Sequence, residues 1–455
     1  MTTLPTSDEP LAAAAQPGFP QGFLWGAATS AYQIEGAVDA GGRGRSIWDD
    51  FCARPGKVAN GESGARACDH YHLWREDVAL MRSLGLGAYR FSISWPRIQP
   101  AGRGAANAAG LDFYDRLVDG LLEAGIRPFA TLYHWDLPSA LEAEGGWRAR
   151  PTCEAFAEYA AIVAERLGDR VEHWTTFNEP FCIADLDHGS GEQAPGRRDS
   201  RQVVRQVNHH ILLAHGLAAQ AVRASAPGAV QVGFVQLTTA PEPLLEDDAS
   251  IEAAREGYRR HNAMIFDPLC RGSYPADILE SLGADAPHVA DGDLATIHQP
   301  LDYVGINSYS SWEVVDPSGR TLQPEPSHPR THMGWPITPD ALYWAVRFTN
   351  EIYAPKAIHI TESGCAYPDE VNADGEVLDT ARIAYLKAHL RGLQRAAMEG
   401  HPVKGYFLWS LLDNFEWAHG YAKRFGIVHV NFETLKRTPK LSAGWYGRVA
   451  QLNRV

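Results

Sequence analysis

Eight short runs rich in β-branched and aromatic residues, at 23–33, 88–95, 127–136, 173–180, 230–237, 301–310, 357–364 and 403–413, are each separated by a stretch long enough for at least one helix. This alternation constrains the chain more than any other feature, because parallel strands require a crossover between them and a helix is the usual one. The intervening stretches carry apolar residues at three- and four-residue intervals, as at 69–84, 109–124, 153–167 and 201–226. Runs such as 129–132 and 407–412 are almost continuously apolar, which suits strands covered on both faces. Eight units are the number that closes a (β/α)8 TIM barrel. An open doubly wound sheet has a similar rhythm, but no G-x-G-x-x-G turn follows the first run.

At 455 residues the chain exceeds the usual length of one domain, yet barrels often do so, and no linker separates the runs. The expectation is one barrel domain over residues 19–455. Residues 1–18, acidic and Pro/Ala-rich, read as a disordered lead-in whose apolar run at 11–15 is too short for a signal-peptide core. The Gly/Pro-rich stretches 101–110 and 316–329 read as long surface loops.

Lys plus Arg number 41 against 55 Asp plus Glu, a net charge of −14 that repels a polyanion and makes nucleic acid a poor partner. No window approaches the ~20 apolar residues of a membrane span, so no membrane partner is expected and a cytoplasmic location is the default. The six cysteines are scattered without a C-x-x-C pair and read as reduced and mostly buried. No His/Cys/carboxylate cluster has metal-ligand spacing, so neither metal nor cofactor is expected. The expected partner is a small molecule, and assembly into a homo-oligomer stays open.

Polar residues crowd the carboxyl ends of the runs: Gln33, Arg90 with Trp95, His134 with Asp136, Asn178 with Glu179, Asn307 with Tyr309, Glu362, and Trp409 with Asp413. In a barrel these ends meet at one mouth, where active sites of this fold sit. Glu179 and Glu362 end the fourth and seventh runs, three units apart, and so face each other across that mouth. Two such carboxyl groups, about 5–5.5 Å apart, serve retaining glycoside hydrolysis if one is ionised and the other protonated. Their pKa values must be driven apart, and Arg90 and Tyr309 are candidate neighbours of the ionised one. Either glutamate alone would more commonly be a solvated surface group; both at strand ends among polar co-workers argue for a site.

The stretch 176–180 (Thr-Phe-Asn-Glu-Pro) and the stretch 360–364 (Ile-Thr-Glu-Ser-Gly) also carry a resemblance. In the same order stand 23–26 (Phe-Leu-Trp-Gly) with 31–36, 89–95 (Tyr-Arg-Phe-Ser-Ile-Ser-Trp), 133–138, 307–309, 333–335 (Met-Gly-Trp) and 408–417. On these motifs the chain resembles glycoside hydrolase family 1, the β-glucosidase family, from about residue 19 to 446. The resemblance implies that Glu179 is the acid/base and Glu362 the nucleophile, with Asn178, Tyr309 and Arg90 beside them. It implies that Gln33, His134, Asn178, Asn307, Glu416 and Trp417 bind the sugar, that Trp409 lies under its ring, and that Trp335 meets the aglycone. Asn178 is expected to face the 2-hydroxyl.

The implied activity is that of a retaining β-glycosidase, above all a β-glucosidase, releasing terminal non-reducing β-D-glucosyl residues through a covalent glycosyl-enzyme, with galactosyl or fucosyl residues as alternatives. A 6-phospho-β-glycosidase is the runner-up; Lys423 speaks for it, and Glu416 against it, since a carboxylate repels a phosphate. A sugar-binding protein that lost the chemistry is a second alternative, opposed by the presence of both carboxylates. A transglycosylase uses the same residues. The chain departs from the family pattern at Ser308, at Ser363 after the nucleophile, and at Phe181 and 186–188 (Leu-Asp-His) on the leaving-group side.

Overall fold

The computed structural model describes residues 18–455; all of the expected 1–18 lead-in except Gly18 lies outside the described residues. Eight parallel strands close a barrel: β1 (Leu24–Ala28), β2 (Ala88–Ser92), β3 (Arg127–Tyr133), β4 (His173–Asn178), β5 (Gln231–Leu237), β6 (Tyr303–Asn307), β7 (Ile358–Ser363) and β8 (Val403–Trp409). Each pairs with its chain neighbours, and β1 pairs with β8, with Ala28 opposite both Arg90 and Trp409.

Every barrel strand falls inside an expected run, but several stop short of its carboxyl end. The first run is strand only to Ala28, after which Ala31–Ile34 forms one helical turn. The amide of Ala31 is taken there by Ser92 Oγ at 2.7 Å instead of by a neighbouring strand. Gln33 therefore sits on a helical turn above the barrel and not at a strand end. The second run likewise ends at Ser92, and Pro96 sits in the first turn of the helix Trp95–Ile98, where its missing N–H costs nothing.

The crossover helices bury one face each. In Ala108–Glu123 the buried side chains Phe113, Tyr114, Leu117, Val118 and Leu121 recur at helical spacing. Ser200 caps the helix Arg201–Ser225 and Asp247 caps Asp248–Arg271, each side chain accepting from a backbone amide three residues on. The expected loop at 316–329 is partly structured. Val314–Val315 and Thr321–Leu322 pair around a turn in which Asp316 Oδ1 accepts from the amides of Ser318 and Arg320, and Glu242–Pro243 extends the sheet. Strands of two residues lie below what hydrophobic periodicity can register.

Inside the barrel Phe129 and Phe407 pack at 4.7 Å, with His173 stacked on Phe129 at 4.0 Å. Gly26 in β1 makes room for them; a Cβ there would stand 2.7 Å from both Phe407 and the Ala88 carbonyl. The interior is thus a filled core that forms the floor of the mouth. No helix among the described residues is long and apolar enough to cross a membrane.

Candidate active site

Register shifts interrupt the pairing of β4 between Thr175 and Asn178 and of β7 between Ile360 and Glu362. Both strands that carry the candidate carboxylates are therefore irregular just before them, which re-aims the side chains that follow. Past the irregularity in β7, Gly364 turns so tightly against β8 that a Cβ would collide with the Trp409 carbonyl oxygen. Glu179 itself has φ +50°, as does Trp417, and Trp135 has φ +77°. Left-handed backbone at non-glycine residues is costly and gathers where a site needs it. All three line one cavity of about 690 Å³ at the barrel mouth, together with Glu362, Trp409 and Glu416.

Glu362 is buried between two donors. Arg90 Nη1 donates to its Oε1 at 2.5 Å and the Tyr309 hydroxyl to its Oε2 at 2.7 Å. Arg90 has no acceptor to offer a carboxylic acid, so its charge-assisted bond suits a carboxylate. Its Nη2 donates to Asn178 Oδ1 at 2.7 Å, and Asn307 Nδ2 donates to the same oxygen at 3.0 Å. Two donors on Oδ1 fix the Asn178 amide, turning its Nδ2 toward His134 Nε2 at 3.3 Å. Asn307 Nδ2 also donates to Glu179 Oε1 at 2.5 Å. A continuous chain of hydrogen bonds thus joins the two glutamates through Arg90, Asn178 and Asn307.

Burial, and then the negative charge of Glu362, push the Glu179 carboxyl up to about 7, against the hydrogen bonds from Asn307 and Cys182 and the charge of Arg90. Glu416 is pushed up to about 8, by burial first and then by Glu362 and Glu179, with Gln33 Nε2 donating to its Oε2 at 3.3 Å. Burial and the Arg90 charge hold His134 well below its ordinary value, so its ring is neutral. That ring lies nearly parallel to Trp409 at 5.8 Å and to Trp417 at 6.1 Å. The cavity is therefore lined by a group of near-parallel rings and three carboxyl groups, with the Arg90 guanidinium buried beside Glu362.

All the expected site residues gather at this mouth, but at different depths. Glu179, Glu362, His134, Tyr309, Trp335, Trp409, Glu416 and Trp417 line the cavity. Gln33, Asn178 and Asn307 have no exposed surface. Gln33 accepts from Ser30 and donates to Asn414, the Phe415 carbonyl and Glu416, so it stands behind Glu416 as its support. Asn307 stands in the same way behind Glu179. Trp335 packs at the outer end against Tyr309 at 5.2 Å and Phe425 at 5.9 Å.

Three contributors were not singled out from the sequence. Thr361 Oγ1 donates to Asn307 Oδ1 at 2.7 Å, Trp135 Nε1 to the Asn178 carbonyl at 2.9 Å, and Cys182 Sγ to Glu179 Oε2 at 3.1 Å. The last had a sequence signal, since a residue three after Glu179 at the start of a helical segment folds back beside it. Lys423 is not among the residues that line the cavity; its Nζ donates to the His332 carbonyl at 2.6 Å.

Residues 15–455 match the family model described as Glycosyl hydrolase family 1. Beta-glucosidase A of Thermotoga maritima is 46% identical over 439 residues, covering 96% of this chain and 98% of that protein. A bifunctional beta-D-glucosidase/beta-D-fucosidase of Bifidobacterium breve is 46% identical over 457 residues, covering 94% of this chain and 97% of its own length. The solved structure of the Thermotoga maritima beta-glucosidase in complex with glucoimidazole superposes with a TM-score of 0.90 at 46% identity, over 96% of this chain and 100% of that one.

Proposed function

The chain belongs to glycosyl hydrolase family 1, and from that premise we propose that it is a retaining β-glucosidase in which Glu362 is the nucleophile and Glu179 the acid/base. The observation that carries this reading is the contrast between two carboxyl groups in one cavity. Glu362 lies between a guanidinium and a hydroxyl donor, while burial pushes the Glu179 carboxyl up to about 7, where it holds a proton near neutrality.

In the first step a Glu362 oxygen bonds to the anomeric carbon as the bond to the aglycone oxygen breaks, and Glu179 gives its proton to that oxygen. In the second, water bonds to the same carbon, its proton goes to Glu179, and the ester to Glu362 breaks. Two inversions restore the β configuration. Trp409 provides the face on which the sugar ring lies, and Glu416 and His134 take its hydroxyls. Hydroxyls donating to Glu416 stabilise its charged form against burial, so sugar binding and ionisation of Glu416 favour each other. Glucosides lead because the relatives are named beta-glucosidase, and fucosides stay in the reading through the bifunctional relative.

Trapping with azide tests the two roles. Glu179→Ala with an activated β-glucoside forms the ester without a proton donor, and azide then displaces Glu362 to give the β-glycosyl azide. Glu362→Ala leaves room for azide to attack the substrate directly, giving the α-glycosyl azide. Opposite anomers, read by proton NMR, are expected; the same anomer from both variants overturns the assignment.

A further inference from the structure

Glu179 has one oxygen held firmly and one held loosely. Asn307 Nδ2 reaches Oε1 at 2.5 Å and cannot turn away, because Thr361 Oγ1 donates to the other end of the same amide and Asn178 Oδ1 accepts its second proton. A proton on Oε1 would compete with that fixed donor, so the acid proton belongs on Oε2. The one hydrogen bond to Oε2 among the described residues comes from Cys182 Sγ at 3.1 Å. Cys182 reaches it because its own amide donates to the Glu179 carbonyl at 3.1 Å, opening the helical segment Cys182–Ser190. Cys182 is 5% exposed and forms part of the cavity wall. Unlike the amide of Asn307, an S–H turns freely about its Cβ–Sγ bond.

We propose that Cys182 is a positioning residue for the acid/base: its thiol holds Oε2 as the oxygen that gives and takes the catalytic proton, and supports the carboxylate while the glycosyl-enzyme awaits water. This rests on Glu179 being the acid/base. In the first step the proton on Oε2 passes to the aglycone oxygen as its bond to carbon breaks, and the S–H turns to donate to the oxygen left charged. In the second, water bonds to carbon, its proton passes to Oε2, the ester to Glu362 breaks, and the S–H turns away. The thiol keeps its own proton throughout; burial and Glu179 push its pKa well up. The other charged or titratable groups facing Glu179 are Glu362, Glu416, Arg90 and Tyr309. None of them donates to Oε2.

The test is the pH profile of kcat/KM for Cys182→Ala, Cys182→Val and Cys182→Ser in the full chain. Losing the donor raises the pKa of Glu179, so in the Ala and Val variants the basic limb moves up by about half to one pH unit. On an activated substrate limited by hydrolysis of the ester, kcat falls about 3- to 10-fold. Ser, which keeps a donor, holds the wild-type limb. A role in packing alone would reverse the pattern, sparing Val, which matches the thiol in size, and harming Ser no less than Ala. A basic limb unmoved in Val overturns the proposal, and Val decides if Ala fails to fold. Failure of the underlying reading looks different, because Glu179→Gln would then keep the wild-type basic limb.

Discussion

At the inner end of the cavity Arg90, Asn178, Asn307 and Thr361 are buried and bonded to one another and to the two glutamates, all on or beside the barrel strands. At the outer rim Phe181 and Trp312 stand 44% and 39% exposed on connecting segments, and Arg330 reaches the Trp312 ring at 5.8 Å. The inner end is fixed by strand register, which eight parallel ladders define together, and a side chain there has one place to go. The rim depends on loops whose conformation each local sequence sets for itself. On the proposed reading, chemistry resides where the scaffold leaves no freedom, and aglycone choice where freedom remains.

The largest effect expected is at the inner end. Glu179→Gln removes the proton donor and lowers kcat/KM about 10²- to 10⁴-fold on alkyl glucosides, whose leaving group needs a proton. On activated aryl glucosides the first step survives. In the wild type the protonated form is the active one, so kcat/KM on alkyl glucosides falls as pH rises through about 7, and in the Gln variant this limb disappears. A basic limb that persists in Glu179→Gln identifies another acid and breaks the comparison at its base.

A smaller loss follows at the sugar-binding side of the same end. Glu416→Gln keeps the shape but trades hydrogen bonds to a charged acceptor, worth about 1.5–3 kcal/mol, for neutral ones. A fall of about 10- to 100-fold in kcat/KM is expected with every aglycone. If the loss varies with the aglycone and not with the sugar, Glu416 belongs to the rim.

Smaller again is Thr361→Val, which keeps the volume but leaves Asn307 Oδ1 without its donor. The Asn307 amide is then held only through the two bonds of its Nδ2, to Glu179 and Asn178, and kcat/KM should fall about 5- to 10-fold, close to one hydrogen bond. Unchanged kinetics would mean that the strands alone, without this contact, hold Glu179 in place.

This division also explains what could be read from the chain. The eight strands and the two carboxylates were legible because strand periodicity and barrel closure place run ends at a common mouth, so Glu179, Glu362, Arg90 and Asn307 needed no loop geometry to be brought together. Gln33 was harder. Its run looks continuous to residue 33, but the chain leaves β1 at Ala28 because Ser92 captures the amide of Ala31, a contact between residues 61 apart. Depth was not legible either. Gln33 and Asn307, expected among the sugar ligands, each also donate to a carboxyl group, a contact that a motif does not show. Cys182 was read only as a buried thiol because its role depends on the left-handed turn at Glu179. The strands at 314–315 and 321–322 are too short to leave a pattern.

The smallest effect on kcat belongs to the rim, and it follows from when the aglycone departs. By the time water attacks the glycosyl-enzyme, the leaving group is gone, so no residue that touches only the aglycone can alter that step. Phe181→Ala and Trp312→Ala should therefore leave kcat unchanged on an activated aryl glucoside limited by hydrolysis of the ester. They should still lower kcat/KM, which covers binding and the first displacement while the aglycone is present. An aromatic contact worth about 0.5–1.5 kcal/mol corresponds to roughly 2- to 12-fold on an aryl glucoside. A methyl glucoside, whose aglycone is too small to reach the rim, should show no change. Steady-state kinetics on the two substrates decides the matter. An equal loss on both would mean that the rim aromatics act on the sugar or on the carboxylates, and the two ends of the cavity would not be the separate devices their construction makes them.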